Sequence, residues 1–207
     1  MYPYKTFELF PTTAMKFDVS EKISDDDKSV MIQDIDEMER NNLHLQINEL
    51  TPRLQSLPVL FHQDYPYVNK KSWATLQATF VECCYQYLHS VENFYKDPND
   101  IQYTGSRAWF FKHNNDIGEK YKIPAHNHHP SFLSGVFYLH VPGDGRQGGT
   151  ELCDPRGSAQ RATRMVEILP SPLAWLIFPG WLDHVSGRTS TTDSRYVVAA
   201  DCYVKVR

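Results

Sequence analysis

The spacing of apolar positions changes character near residue 100. Before it, two stretches repeat every three or four residues. Over 24–40 (SDDDKSVMIQDIDEMER), Met31, Ile35 and Met38 form one apolar stripe, which predicts an amphipathic helix. Ser24 fits its N-cap with Asp27 three positions on, Asp25 and Asp26 suit the positive end of the dipole, and Asn41-Asn42 marks the stop. From Ser72 to Tyr95, the residues Trp73, Leu76, Phe80, Cys84, Tyr87, Val91 and Phe94 keep the same period. They predict a longer helix that ends in KDPND and lays an aromatic face on a sheet. Residues 5–18 predict an opening strand pair broken at Pro11.

From residue 101 onward the period is two. It predicts strands at 107–113, 134–141, 149–153, 164–169, 173–178 and 194–205, separated by the turn-rich segments PGDGRQGG, DPRGS, LPSP and FPG. Strands at this spacing after two helices predict a mainly β fold, an antiparallel barrel or sandwich with helices on one outer face. No repeat and no second core emerge. The reading is a single domain over 1–207, in which 1–100 supplies N-terminal strands and supporting helices and 101–207 the β core.

Composition narrows the functional classes. With 41% hydrophobic residues, the 207-residue chain can bury a core without cross-links. A formal charge of -4 disfavours a global electrostatic grip on nucleic acid. No apolar run reaches the roughly 20 residues that span a bilayer, and MYPYKTFELFPTT lacks the apolar stretch of a secretory signal. Cys83, Cys84, Cys153 and Cys202 match no zinc spacing and read as reduced thiols in a cytoplasm.

The candidate chemistry lies in the histidines. His126, His128 and His129 fall within four residues, in PAHNHHPSFLSG. On a strand, residues two apart share a face, so His126 and His128 can aim at one point while Asn127 and His129 turn away. Neutral imidazole is the commonest nitrogen ligand of first-row metals. His184 follows an apolar strand and a turn, in AWLIFPGWLDHVSG, at the mouth of the next strand. Arg195 opens SRYVVAADCYV and shares a face with Val197, Ala199 and Asp201, whose small members leave room for an anion that a guanidinium fork can hold. Arg188 is a rival in GRTSTTD. Tyr138 shares its strand face with Ser134, Val136 and His140 and can bring a hydroxyl to the same anion. The loop carrying Arg146, Arg156, Arg161 and Arg164 could grip an acidic partner or be a solvated surface.

The order of these parts is H-x-H, a strand with Y-L, G-T-E-L-x-D-P-R, F-P-x-W-L-x-H-x-V, then R-Y. In that order, over about residues 105–205, the sequence resembles the Fe(II)- and 2-oxoglutarate-dependent oxygenases. It looks closest to small oxygenases of bacteria and phages and is more distantly similar to prolyl hydroxylases. The resemblance implies a double-stranded β-helix, a jelly-roll or cupin-like barrel. It implies iron held by His126, His128 and His184, with Arg195 and Tyr138 on the far carboxylate of 2-oxoglutarate and O2 as the third reactant. Trp109, Gly118 and Pro124 fit the family's lead-in to the first ligand. Most of the superfamily has H-x-D, where this sequence has His128. The implied activity is a dioxygenase, expected to be a hydroxylase of a peptide side chain or a small molecule. Two other readings stand beside it: a cupin-like three-histidine metalloenzyme that does not use 2-oxoglutarate, and a non-catalytic β-rich binding module.

Overall fold

In a computed structural model of the chain, the described residues are 12–41, 44–46, 53–56, 60–62, 70–91, 100–113, 125–143, 148–156, 165–187 and 193–206. Their elements run β1 (Met15–Asp18), α1 (Asp25–Arg40), β2 (His44–Gln46), β3 (Arg53–Ser56), α2 (Lys70–Ser90), β4 (Ile101–His113), β5 (Leu133–His140), β6 (Thr150–Cys153), β7 (Met165–Ile168), β8 (Ala174–Pro179), β9 (His184–Ser186) and β10 (Arg195–Val206). A large antiparallel sheet has the order β1-β8-β5-β10-β4-β3-β2, and a small one β7-β6-β9.

Both helices form where the apolar period places them. Ser24 caps α1 through a reciprocal capping box with Asp27, and the Asn41 amide closes its other end on the Glu37 carbonyl. Met31, Ile35 and Met38 are fully buried. Helix α2 begins two residues before Ser72. Trp73, Leu76, Phe80, Cys84 and Tyr87 are all buried on it, while the expected extension through Phe94 to Tyr95 lies outside the described residues.

The large sheet divides the interior in two by strand parity. Its helix-side face carries Ala108 and Phe110 of β4, Leu133, Phe137 and Leu139 of β5, Trp175 and Ile177 of β8, and Val198, Ala200 and Cys202 of β10. Gly135 lets α2 press close, since a methyl group there would stand 2.7 Å from the Phe80 ring. The opposite face carries Val136, Tyr138, Leu176, Phe178 and Val197, which pack with Leu152 of the small sheet. The two sheets therefore enclose a second, smaller apolar layer, as a sandwich requires.

Several expectations shift. Strand β4 starts at Ile101, six residues before the alternation becomes regular, because its early part pairs with the end of β10 across a register shift at Tyr203/Val204. Strands β2 and β3 were not expected, being only three and four residues long. Of the opening strand pair, β1 is present, and residues 5–11 lie outside the described residues. His140 was expected on the face of Tyr138. A register shift between Tyr196 and Val197 pairs it with Tyr196 instead, and the two rings meet edge to face. All four cysteines are buried free thiols.

Candidate metal centre

The segment bearing the first two histidines is not the strand expected. His126 forms an isolated antiparallel bridge with His184, and His128 follows outside any strand, ahead of a turn at 129–130. What fixes the pair is attachment to the β8–β9 connection. The His126 and His184 amides and carbonyls bond reciprocally at 3.2 and 2.9 Å, and the His128 amide bonds the Gly180 carbonyl at 2.8 Å. Between the two histidines, Asn127 Nδ2 donates to Asp183 Oδ1 at 2.7 Å. Gly180 is required here, because a methyl group would fall 2.2 Å from the Ser131 carbonyl oxygen.

The result is a three-imidazole cluster. Potential ligand atoms of His126, His128 and His184 lie within 4.8 Å of one another. Their ring centroids are 5.3 Å apart for His126 and His128, 4.6 Å for His126 and His184, and 4.9 Å for His128 and His184. His129 is exposed and outside the cluster.

Two of the rings are oriented by their Nδ1 atoms. His184 Nδ1 donates to the Leu182 carbonyl at 3.1 Å, an oxygen that can only accept. His128 Nδ1 lies 2.8 Å from Asp201 Oδ1. With its proton on Nδ1, each of these rings has Nε2 free to bind a metal. Burial, then the neighbouring His126, pushes the pKa of His184 down to about 3, so it is neutral at physiological pH. The donor set therefore fits a borderline divalent metal such as Fe(II).

Arg195 lines the same small cavity as the histidines, with Phe111, Val136, Thr150, Ser186 and Ala199. Its guanidinium donates to Ser186 Oγ at 3.2 Å and stands 5.8 Å from the centre of the Tyr138 ring. Complete burial pushes its pKa down to about 10, leaving it charged at neutral pH. Gly148, at φ +76°, lets the backbone pass over its stem. Tyr138 is fully buried, and its hydroxyl bonds Thr150 Oγ1 at 2.8 Å. A larger hollow, about 860 Å³, runs along the outer side of α2 between Ala74 and Tyr103. The histidine cluster lies outside that hollow, which has no comparable group of metal-ligating side chains among its lining residues.

The sequence reading had no functional use for Asp201, Thr150 or Ser186. Asp201 was visible as the inward partner of Arg195 by parity, but nothing in one sequence shows that it meets His128. Trp109 is buried with its ring centre 5.2 Å from that of His128. Gly118, Pro124, Arg188, Arg146, Arg161 and Arg164 lie outside the described residues. Arg156 is exposed and paired with Asp154.

Fold and site together define a β-sandwich with a three-histidine cluster, of the kind that can hold a metal ion, beside a buried arginine. Residues 108–201, just under half of the chain, match the family described as "Putative 2OG-Fe(II) oxygenase". The resemblance to the Fe(II)- and 2-oxoglutarate-dependent oxygenases is thus borne out over the segment that holds the cluster. That family's cofactors are Fe(II), 2-oxoglutarate and O2.

Solved structures agree on the fold. A prolyl hydroxylase from Trichoplax adhaerens, in complex with a hypoxia inducible factor peptide, is 10% identical. The match covers 92% of this chain and 83% of that one, with a TM-score of 0.61. A Pseudomonas putida prolyl-4-hydroxylase is 9% identical over 93% and 92% of the two chains, with a TM-score of 0.59. The α-ketoglutarate-dependent epimerase SnoN of nogalamycin biosynthesis is 9% identical over 95% and 81%, with a TM-score of 0.60. The fold is the double-stranded β-helix of these oxygenases, as expected. No curated protein matches the chain by sequence.

Proposed function

We propose that the chain is an Fe(II)- and 2-oxoglutarate-dependent hydroxylase acting on a peptide side chain or a small molecule. The observation that carries this reading is the cavity itself, which three converging imidazoles and a buried guanidinium line together. His126, His128 and His184 would hold the metal through ring nitrogens. Arg195 would take the far carboxylate of 2-oxoglutarate, with the Tyr138–Thr150 hydroxyl pair and Ser186 fixing its direction. Bound there, Fe(II) and 2-oxoglutarate supply the oxidation, in which 2-oxoglutarate and O2 become succinate and CO2 as one oxygen atom enters the substrate. Phe111, Val136 and Ala199 line the same space and limit the entry of water.

At about 40 Å³ the cavity between the described side chains has room for a few waters. Peptide substrates are favoured by the fold shared with prolyl hydroxylases, one of them bound to a peptide.

The test is anaerobic loading with Fe(II) and 2-oxoglutarate, followed by exposure to air. Succinate should form and 2-oxoglutarate disappear in equal amounts, and a peptide or metabolite substrate should gain one oxygen atom in mass. Intact 2-oxoglutarate after prolonged incubation with iron and oxygen would point to a three-histidine metalloenzyme of another kind.

A further inference from the structure

Asp201 is fully buried in the middle of β10, yet it is not a spectator of the core. Its Oδ1 sits 2.8 Å from His128 Nδ1 and accepts from Ser134 Oγ at 2.8 Å. Its Oδ2 accepts from Arg107 Nε at 2.9 Å, and Arg107 Nη2 stands at the same distance. Three partners from β4, β5 and the H-x-H segment thus lock the carboxylate in one orientation. Ser134 Oγ also lies 3.2 Å from His128 Nδ1, so that one ring nitrogen has two polar neighbours. A carboxylate buried on the metal-facing side of a β core has to be paired and hydrogen-bonded to offset its lost hydration. Arg107, nearly half exposed, already compensates it from outside.

We propose that Asp201 is a positioning residue for the metal centre. It fixes His128 with Nε2 outward and supplies through the imidazole the negative charge that a directly bound aspartate would give. The proposal rests on the three-histidine reading of the site. Where the second ligand is an aspartate, one full negative charge touches the metal. Here that position is an imidazole, and the carboxylate stands one hydrogen bond further back. A carboxylate on the outer nitrogen makes an imidazole a stronger donor and holds its orientation, and removing such a partner typically costs about 10–100-fold in metal affinity. The charge has moved outward by one ring without leaving the site.

The assay is Mn(II) binding to the full-length metal-free protein by calorimetry, with folding checked by circular dichroism. Asp201→Asn, which keeps shape and an acceptor oxygen but loses the charge, should weaken Mn(II) by about 10–100-fold. Arg107→Gln, which leaves the Asp201–His128 contact intact, should change it by less than about threefold. The decisive comparison is in a His128→Asp background. There a carboxylate reaches the metal directly and Asp201 becomes a repulsive neighbour, so adding Asp201→Asn should tighten Mn(II) binding rather than weaken it. A purely structural Asp201 would weaken binding in both backgrounds, and that result would overturn the proposal. So would Mn(II) affinity of Asp201→Asn within about threefold of wild type.

A second measurement stands if Asp201→Asn does not fold. In Zn(II)-loaded wild-type protein with nitrogen-15 histidine, His128 should carry its proton on Nδ1, in slow exchange with water. A proton on Nε2 would overturn the assignment. Retention of Mn(II) by His184→Ala would instead mean that the three-histidine site, not the role of Asp201, had failed.

Discussion

At the residue scale, each side chain of the centre has a separable task. His184 is the distal member of the cluster and is held neutral by burial. His184→Ala should abolish tight Mn(II) binding while the protein stays folded, read as metal content after dialysis. The same residue sets a pH dependence in the metal-free protein. Its folded pKa of about 3 lies below the unfolded value near 6.5, so the unfolded chain binds the extra proton first. The stability it contributes is complete above about pH 6.5 and is lost as pH falls toward 3. Thermal melts between pH 7 and 4 should therefore show a smaller acid loss in His184→Ala than in wild type, and equal slopes would contradict this. In the proposed function Arg195 would serve the anion instead of the metal. Charge-assisted hydrogen bonds are worth about 1.5–3 kcal/mol each, so Arg195→Ala should weaken 2-oxoglutarate at least about tenfold with metal still bound. Tyr138→Phe should cost less, because Thr150 keeps its hydroxyl and the ring stays beneath the guanidinium.

At the scale of elements, the two faces of the large sheet are separate in energy as well as in space. On the helix side, Lys112 of β4 reaches Asp36 and Glu39 of α1, and the Tyr196 hydroxyl donates to Asp36 at 2.9 Å. Burial opposes the charge on Lys112, but the two carboxylates more than offset it and raise its pKa. Lys112→Ala should lower unfolding free energy by about 1–3 kcal/mol, since the partners are about one-third exposed and water replaces part of the loss. Metal affinity should not change measurably, because the pair lies on the far side of the sheet. The opposite holds for Gly180. Gly180→Ala would push against the Ser131 backbone and spread the His128 segment from the connection that bears His184. It should weaken Mn(II) binding at least about tenfold with a far smaller change in melting temperature.

At the scale of the molecule, the legible and illegible parts divide by range. The stripes of α1 and α2, the Ser24 cap and the alternation of β5, β8 and β10 are local signals, and each predicted its element to within a few residues. Composition and motif order carried the fold class and the three histidines. Strand geometry was the wrong reason for bringing His126 and His128 together. The cause is a non-local bridge to His184, which a period of two cannot express. The register shift that turns His140 away from Tyr138, the contact of Asp201 with His128 and the hydroxyl pair of Tyr138 with Thr150 are likewise products of strand pairing between distant segments. Sequence shows which residues can meet; pairing decides which do.

The central claim is that one cavity holds both a metal and 2-oxoglutarate. Its most direct test is anaerobic calorimetry of 2-oxoglutarate against Mn(II)-loaded and metal-free protein. The account predicts one 2-oxoglutarate per chain when Mn(II) is present and binding at least about tenfold weaker without it, since the metal and Arg195 grip opposite ends of the same molecule. No binding to the Mn(II)-loaded protein, or equal binding with and without the metal, would contradict it.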